Sequence, residues 1–142
     1  MEFKTRNVLT IKGNFFVPDY QRGYRWGENE VKQLLEDIYE NGEKSYYLQP
    51  IVVKPIEEEN FELIDGQQRL TTLYLILSYL REKLGNIVSR KYSLIYETRK
   101  ETHEFLENIN SESKNKNKEN IDFFFISNAY EIIEKWFEEQ GE

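Results

Sequence analysis

Apolar residues recur along this chain with two periods, and the alternation between them outlines its elements. Val31, Leu34, Leu35, Ile38 and Tyr39 fall at i, i+3, i+4, i+7 and i+8. That spacing predicts an amphipathic helix over about residues 28–41, closed by Asn41-Gly42. A second helix is expected from about 67 to 84, with Leu70, Leu73, Tyr74, Leu77 and Leu80 as its stripe and Gly85 as its stop. A third covers Glu101 to Asn108, and a last one buries Phe125, Ala129, Ile132, Ile133, Trp136 and Phe137. β-branched and aromatic runs supply the strands: Val8–Ile11, Phe15–Val17, Ile51–Val53, Phe61–Ile64 and Tyr92–Tyr96. The acidic Glu57-Glu58-Glu59-Asn60 segment turns one of these into the next as a hairpin or adjacent pair. Ser111 to Asn120 has no apolar residue and reads as a mobile loop. Together the elements describe a mixed α+β domain, a small sheet with flanking helices and a C-terminal helical extension.

One polar segment interrupts this pattern where packing alone would not place it. Residues 63–73 read Leu-Ile-Asp-Gly-Gln-Gln-Arg-Leu-Thr-Thr-Leu, a strand end, a tight turn and a helix start. The first N–H groups of a helix lack intrahelical acceptors and carry the positive end of its dipole, so they receive phosphates or carboxylates. Gly66, without a Cβ, opens the backbone to such a ligand. Arg69 can fork onto two anion oxygens, and Gln67, Gln68, Thr71 and Thr72 are neutral donors nearby. A structural reading uses the same residues: Asp65 followed by Gln68 fits a capping box, with Arg69 in a surface ion pair.

A second dense patch is Val17-Pro-Asp-Tyr-Gln-Arg-Gly-Tyr-Arg-Trp26. Pro18 and Gly23 mark it as loop, and a loop holding three aromatics and two arginines is more often a site than a spacer. Arg22 and Arg25 are suited to phosphates, and Tyr20, Tyr24 and Trp26 offer faces for stacking. Packing competes here too, with Tyr24 and Trp26 buried under the following helix and an arginine paired with Asp65 or Asp37.

Taken together, Phe16 to Trp26, Tyr47-Leu-Gln-Pro-Ile-Val-Val53 and Ile64-Asp-Gly-Gln-Gln-Arg-Leu-Thr-Thr-Leu73 resemble the N-terminal domain of GmrSD-type modification-dependent restriction endonucleases. Tyr96-Glu-Thr-Arg99 and Asn120-Ile-Asp-Phe-Phe-Phe125 resemble weaker patterns of the same family, so the likeness runs over most of the chain. Gln49 departs from it, standing where members commonly have Gly.

The resemblance implies a ParB/sulfiredoxin-like fold, with a core over 1–100 that senses nucleotide or DNA and a helical extension over 101–142. Its Gly66 to Arg69 turn is similar to the turn with which ParB proteins hold nucleotide phosphates. In such domains the Asp-Gly-Gln-Gln-Arg motif is tied to nucleoside-triphosphate hydrolysis that regulates cleavage of modified phage DNA. A C-terminal nuclease domain, commonly of HNH type, belongs elsewhere. This chain has a single histidine, His103, on a helix where a surface role is expected.

Composition narrows the picture. At 142 residues and 39% hydrophobic content the chain can bury one modest core. No apolar stretch has the length of a membrane span, and the N-terminus lacks the run of a signal peptide. The absence of cysteine removes disulfides, thiolate metal sites and cysteine nucleophiles, in keeping with a cytoplasmic protein. A net charge of −7 opposes DNA binding by bulk electrostatics. The charge is uneven, however: residues 119–142 carry seven acids against Lys135, a local −6, whereas residues 1–26 carry a local +3.

Three functional readings stand side by side. In the first, the domain binds and hydrolyses a nucleoside triphosphate: Asp65 positions water or Mg²⁺, Gly66 to Arg69 cradle phosphates with Gln68 in the catalytic turn, and Arg22 and Arg69 offset developing charge. In the second, Tyr20, Arg22, Tyr24 and Arg25 recognise modified DNA without catalysis. In the third, an Asp65–Arg22 pair stabilises a plain interaction domain. All three leave a homo-oligomer open.

Overall fold

The structure is a computed structural model and describes residues 13–18, 23–41, 51–85, 92–96, 100–110 and 121–140. The strand expected over Val8–Ile11, the loop over Ser111–Asn120, Gln49 and the His103 side chain lie outside the described residues. The elements run β1 (Gly13–Val17), α1 (Glu28–Asn41), β2 (Val52–Glu57), β3 (Asn60–Asp65), α2 (Gln67–Leu84), β4 (Tyr92–Tyr96), α3 (Lys100–Glu107) and α4 (Ile121–Glu139). The mixed α+β class and the C-terminal helix expected from the sequence are both present.

The strands form one sheet in the order β2-β3-β1-β4. β1 lies between β3 and β4 and is parallel to both, with Phe15 opposite Phe61 on one side and Leu94 on the other. β2 and β3 form the expected hairpin, and its strands extend to a turn at Glu58-Glu59, where Glu58 takes a positive φ of 38°. β2 is the outer strand; it carries Lys54 and Pro55 and breaks register twice, features that discourage another strand from adding to an edge. Because β1, β3 and β4 point the same way, the loop after β1 and the turn after β3 emerge at the same edge of the sheet. In open α/β sheets that carboxyl edge is where ligands bind.

Burial of α2 differs from the expected single stripe. Every residue from Leu70 to Tyr79 is buried, including Thr71, Thr72 and Ser78. The reason is that α2 is covered on two sides. Toward the sheet, Tyr92 stacks edge-on against Tyr74 at 5.5 Å and donates its hydroxyl to the Leu70 carbonyl at 2.7 Å. Toward the C-terminal helix, Tyr79 meets Tyr130 and stacks on Phe137, with ring centroids 6.1 and 5.2 Å apart. Phe125, Tyr130, Trp136 and Phe137 of α4 therefore pack on this domain's own core; Trp136 also reaches Tyr39 of α1. Among the described residues no helix is long and apolar enough to cross a membrane.

Ile133 is fully buried in α4, whereas Phe124 is 47% exposed on the same helix. Ile133→Ala is expected to cost about 2–5 kcal/mol through lost burial and a residual cavity, and Phe124→Ala under about 1 kcal/mol. The urea midpoints of the two variants, compared at constant m-value, check this.

Candidate functional site

At the carboxyl edge of the sheet, β3 passes into α2 through one left-handed residue. Gly66 has φ 98° and ψ 16°, a conformation that costs an L side chain free energy. Its missing Cβ matters for packing as well: a methyl there would stand 2.8 Å from Cγ1 of Ile51. The room beside the glycine that sequence reasoning reserved for a ligand is thus filled by Ile51. Gly66 itself is the residue preceding the helix, and no side chain caps α2. The expected capping box does not form. Asp65 accepts instead from the Gly66 amide at 2.9 Å, and its carboxylate is exposed at the strand end. The carbonyl of Gly66 accepts the first helical hydrogen bond, from Leu70 at 2.9 Å.

The side chains following Gly66 turn inward to hold neighbouring elements. Gln67 is buried and donates to the Tyr96 hydroxyl of β4 at 3.1 Å; Thr71 shares that hydroxyl at 2.9 Å. Gln68 grips the loop after β1 with both ends of its amide. Its oxygen accepts from the Arg25 N–H at 2.8 Å, and its nitrogen donates to the Gly23 carbonyl at 3.3 Å. Thr72 donates to the Gln68 carbonyl at 2.8 Å, which leaves its oxygen to accept from the Tyr24 hydroxyl at 2.7 Å. Arg69 is the exception, placing its guanidinium over the Trp26 ring, 5.7 Å from the centroid.

The loop is held from a third side by the last helix. Arg25 forms an ion pair with Asp122 in the first turn of α4 at 2.7 Å and lies over the Phe125 ring at 5.4 Å. The same Arg25 nitrogen donates to the Tyr24 carbonyl. Asp122 is the partner, where the sequence suggested Asp65 or Asp37. Gly23 makes the approach feasible, since a Cβ on it would collide with the Asp122 carboxylate. Tyr24 is fully enclosed, as the packing reading expected, so its ring offers no face to a base. Trp26 remains partly exposed. Tyr20 and Arg22 lie outside the described residues, as does any Asp65–Arg22 pair. The structure thus brings Tyr24, Arg25, Trp26 and the Asp65–Thr72 segment into one cluster.

A family model described as the GmrSD restriction endonuclease, N-terminal domain, matches residues 5–140. The chain belongs to this family. No curated protein and no solved structure matches it. In this GmrSD N-terminal domain the residues that sequence reasoning left without a role are Tyr96 and Asp122, which accept from or share hydrogen bonds with the two main motifs. A signal for both existed in the weaker patterns Tyr96-Glu-Thr-Arg99 and Asn120 to Phe125. Among the described residues, no three His, Asp or Glu side chains are grouped to hold a metal. A cation at the turn would have the Asp65 carboxylate, with phosphate oxygens and water completing its shell, a set that suits Mg²⁺.

Two outcomes follow. Asp122→Asn removes the charge facing a mostly buried Arg25 and is expected to cost about 1.5–3 kcal/mol, read as a lower denaturation midpoint. Burial raises the pKa of Tyr24 and of Tyr130 above the ordinary phenol value, with Glu82 adding to the effect at Tyr130. The unfolded chain therefore releases these protons first, and stability should be complete below about pH 10 and fall as pH rises beyond it. Tyr24→Phe should flatten part of that decline in a pH series of thermal melts.

Proposed function

We propose that this domain binds a nucleoside triphosphate at the β3–α2 turn and hydrolyses it to control cleavage of modified DNA by a nuclease domain. The observation that carries this reading is the start of α2. It opens at the carboxyl edge of three parallel strands, on a left-handed glycine and without a side-chain cap, beside the exposed Asp65 carboxylate. Such a helix end presents N–H groups and a positive dipole to phosphate oxygens. Membership of a restriction endonuclease family supports the link to DNA.

The roles differ from residue to residue. Gly66 gives the turn its left-handed geometry, and the backbone N–H groups of Gln67 to Arg69 receive the phosphates. Arg69 supplies a permanent positive charge one turn into the helix, which would stabilise charge developing on the transferred group. Asp65 orients water or a phosphate-bound Mg²⁺, whose chemistry is to neutralise the polyphosphate and polarise its phosphoryl group. Gln67, Gln68, Thr71, Thr72 and Tyr24 act as positioning residues, because their hydrogen bonds fix the turn against the loop and β4. Arg22 is the additional cation in this reading. The enclosure of Tyr24 and the ion pair of Arg25 weigh against DNA recognition by those two side chains.

Calorimetric titration with each nucleoside triphosphate, with and without Mg²⁺, tests the proposal. Saturable binding is expected, and Arg69→Ala should weaken it by about 1.5–3 kcal/mol while the circular dichroism of the fold is retained. No binding to the folded wild-type domain would overturn it in favour of DNA sensing.

A further inference from the structure

Between α1 and the start of α2 lies a groove of about 420 Å³. Its position follows from the architecture: the loop after β1 delivers Trp26 to the mouth, α1 forms one wall, and Arg69 reaches in from the other. Trp26 packs on the core with part of its ring still exposed, and Leu34 adds an apolar floor. Along α1 the lining is polar. Asn29 and Gln33 sit one turn apart, and Asp37 one turn further, where Gln33 donates to its carboxylate at 2.8 Å. Glu30 closes the near end and accepts from the Gly27 amide at 3.0 Å, which also caps α1.

Charge decides what such a groove can accept. Two carboxylates against one guanidinium leave it acidic, so phosphate oxygens are disfavoured there. A flat, neutral group that carries hydrogen-bond donors is favoured. An indole face stacks on any aromatic ring, carboxylates accept from ring N–H, amino and hydroxyl groups, and carboxamides bond both donors and acceptors. A nucleoside has each of these parts. The groove also adjoins the phosphate site, because Arg69 lines it with its side chain while its backbone belongs to the first turn of α2.

We infer that this groove is the nucleoside subsite of the domain: the base packs against the Trp26–Arg69 pair, and Asn29, Gln33 and Asp37 bond its polar edge or the ribose hydroxyls. The inference rests on the proposed phosphate site and adds to it the part of the ligand that sets base preference. Arg69 stands between the two regions, with Glu30 and Asp37 on its α1 side, so the phosphates belong at the first N–H groups of α2 and the base toward α1.

Tryptophan fluorescence can separate the two regions. The chain has two tryptophans, and Trp136 is buried in α4. In a Trp136→Phe background whose fold is verified by circular dichroism, the emission reports Trp26 alone. A nucleoside triphosphate should quench that emission, whereas inorganic tripolyphosphate should bind, detected by calorimetry, and leave it largely unchanged. In the otherwise wild-type protein, Asp37→Asn and Gln33→Ala, both on the α1 surface, should each raise the Kd for the nucleoside triphosphate roughly tenfold and leave that for tripolyphosphate unaltered. If the nucleoside triphosphate binds without quenching and both variants bind it normally, the groove assignment falls while the phosphate site stands. If neither compound binds, both fall.

Discussion

A helix segment that is buried all round must satisfy every polar group it carries, and α2 is such a segment from Leu70 to Tyr79. Between the sheet and α4 there is no solvent to receive the side chains of Gln67, Thr71, Thr72 or Ser78. Leaving one of these groups unpaired would cost about 1–3 kcal/mol. Each therefore reaches a partner, and most of the partners lie on other elements or on the loop after β1. Tyr96 is drawn in from β4, Tyr24 and the Gly23–Arg25 backbone from the loop, and Tyr92 contributes a hydroxyl to the helix backbone. Ser78 instead bonds back to the carbonyl one turn earlier. The arrangement of the sheet edge follows from this need for pairing.

The motif at the head of α2 consequently divides its work between side chain and backbone. Its two glutamines and two threonines brace the fold, which would leave phosphate recognition to the main chain and Arg69. These roles are compatible because the backbone N–H groups and the side chains of a first turn point in different directions. The bracing is also what would keep a backbone site rigid, for a turn fixed to its neighbours by five side-chain hydrogen bonds does not have to reorganise when an anion arrives. Arg25 and Asp122 extend the same support, tying the aromatic loop to the last helix.

Most of the elements were legible in the sequence because they rest on local signals. The helix over 28–41, the long helix over 67–84 and the strand over 92–96 follow from periodicity and end signals such as Gly85, and the structure has the same boundaries. What local signals could not provide was the environment of each face. Leu70, Leu73 and Leu77 mark a stripe, but nothing in their spacing reveals that Thr72 and Ser78 are also covered, since that depends on parts of the chain distant in sequence, Tyr24 of the loop among them. The capping box failed for a related reason. Asp65 and Gln68 have the right spacing, yet Gln68 finds better partners in a loop distant in sequence, and the left-handed Gly66 takes the cap position. Asp122 looked like one more acid in an acidic tail, and only tertiary structure distinguishes it from the solvated carboxylates around it.

The ion pair between Arg25 and Asp122 joins residues 97 positions apart, and the Tyr24–Thr72 bond spans 48. A ribosome delivers these partners in order. While the chain is being made, the sheet, α1 and α2 can associate, but the aromatic loop lacks one of its anchors until α4 has cleared the exit tunnel. Contacts of such long separation are the slow ones in folding. The candidate site is thus the part of this domain that depends on the most distant contacts, and a chain synthesised only as far as α3 lacks the Asp122 anchor of its aromatic loop.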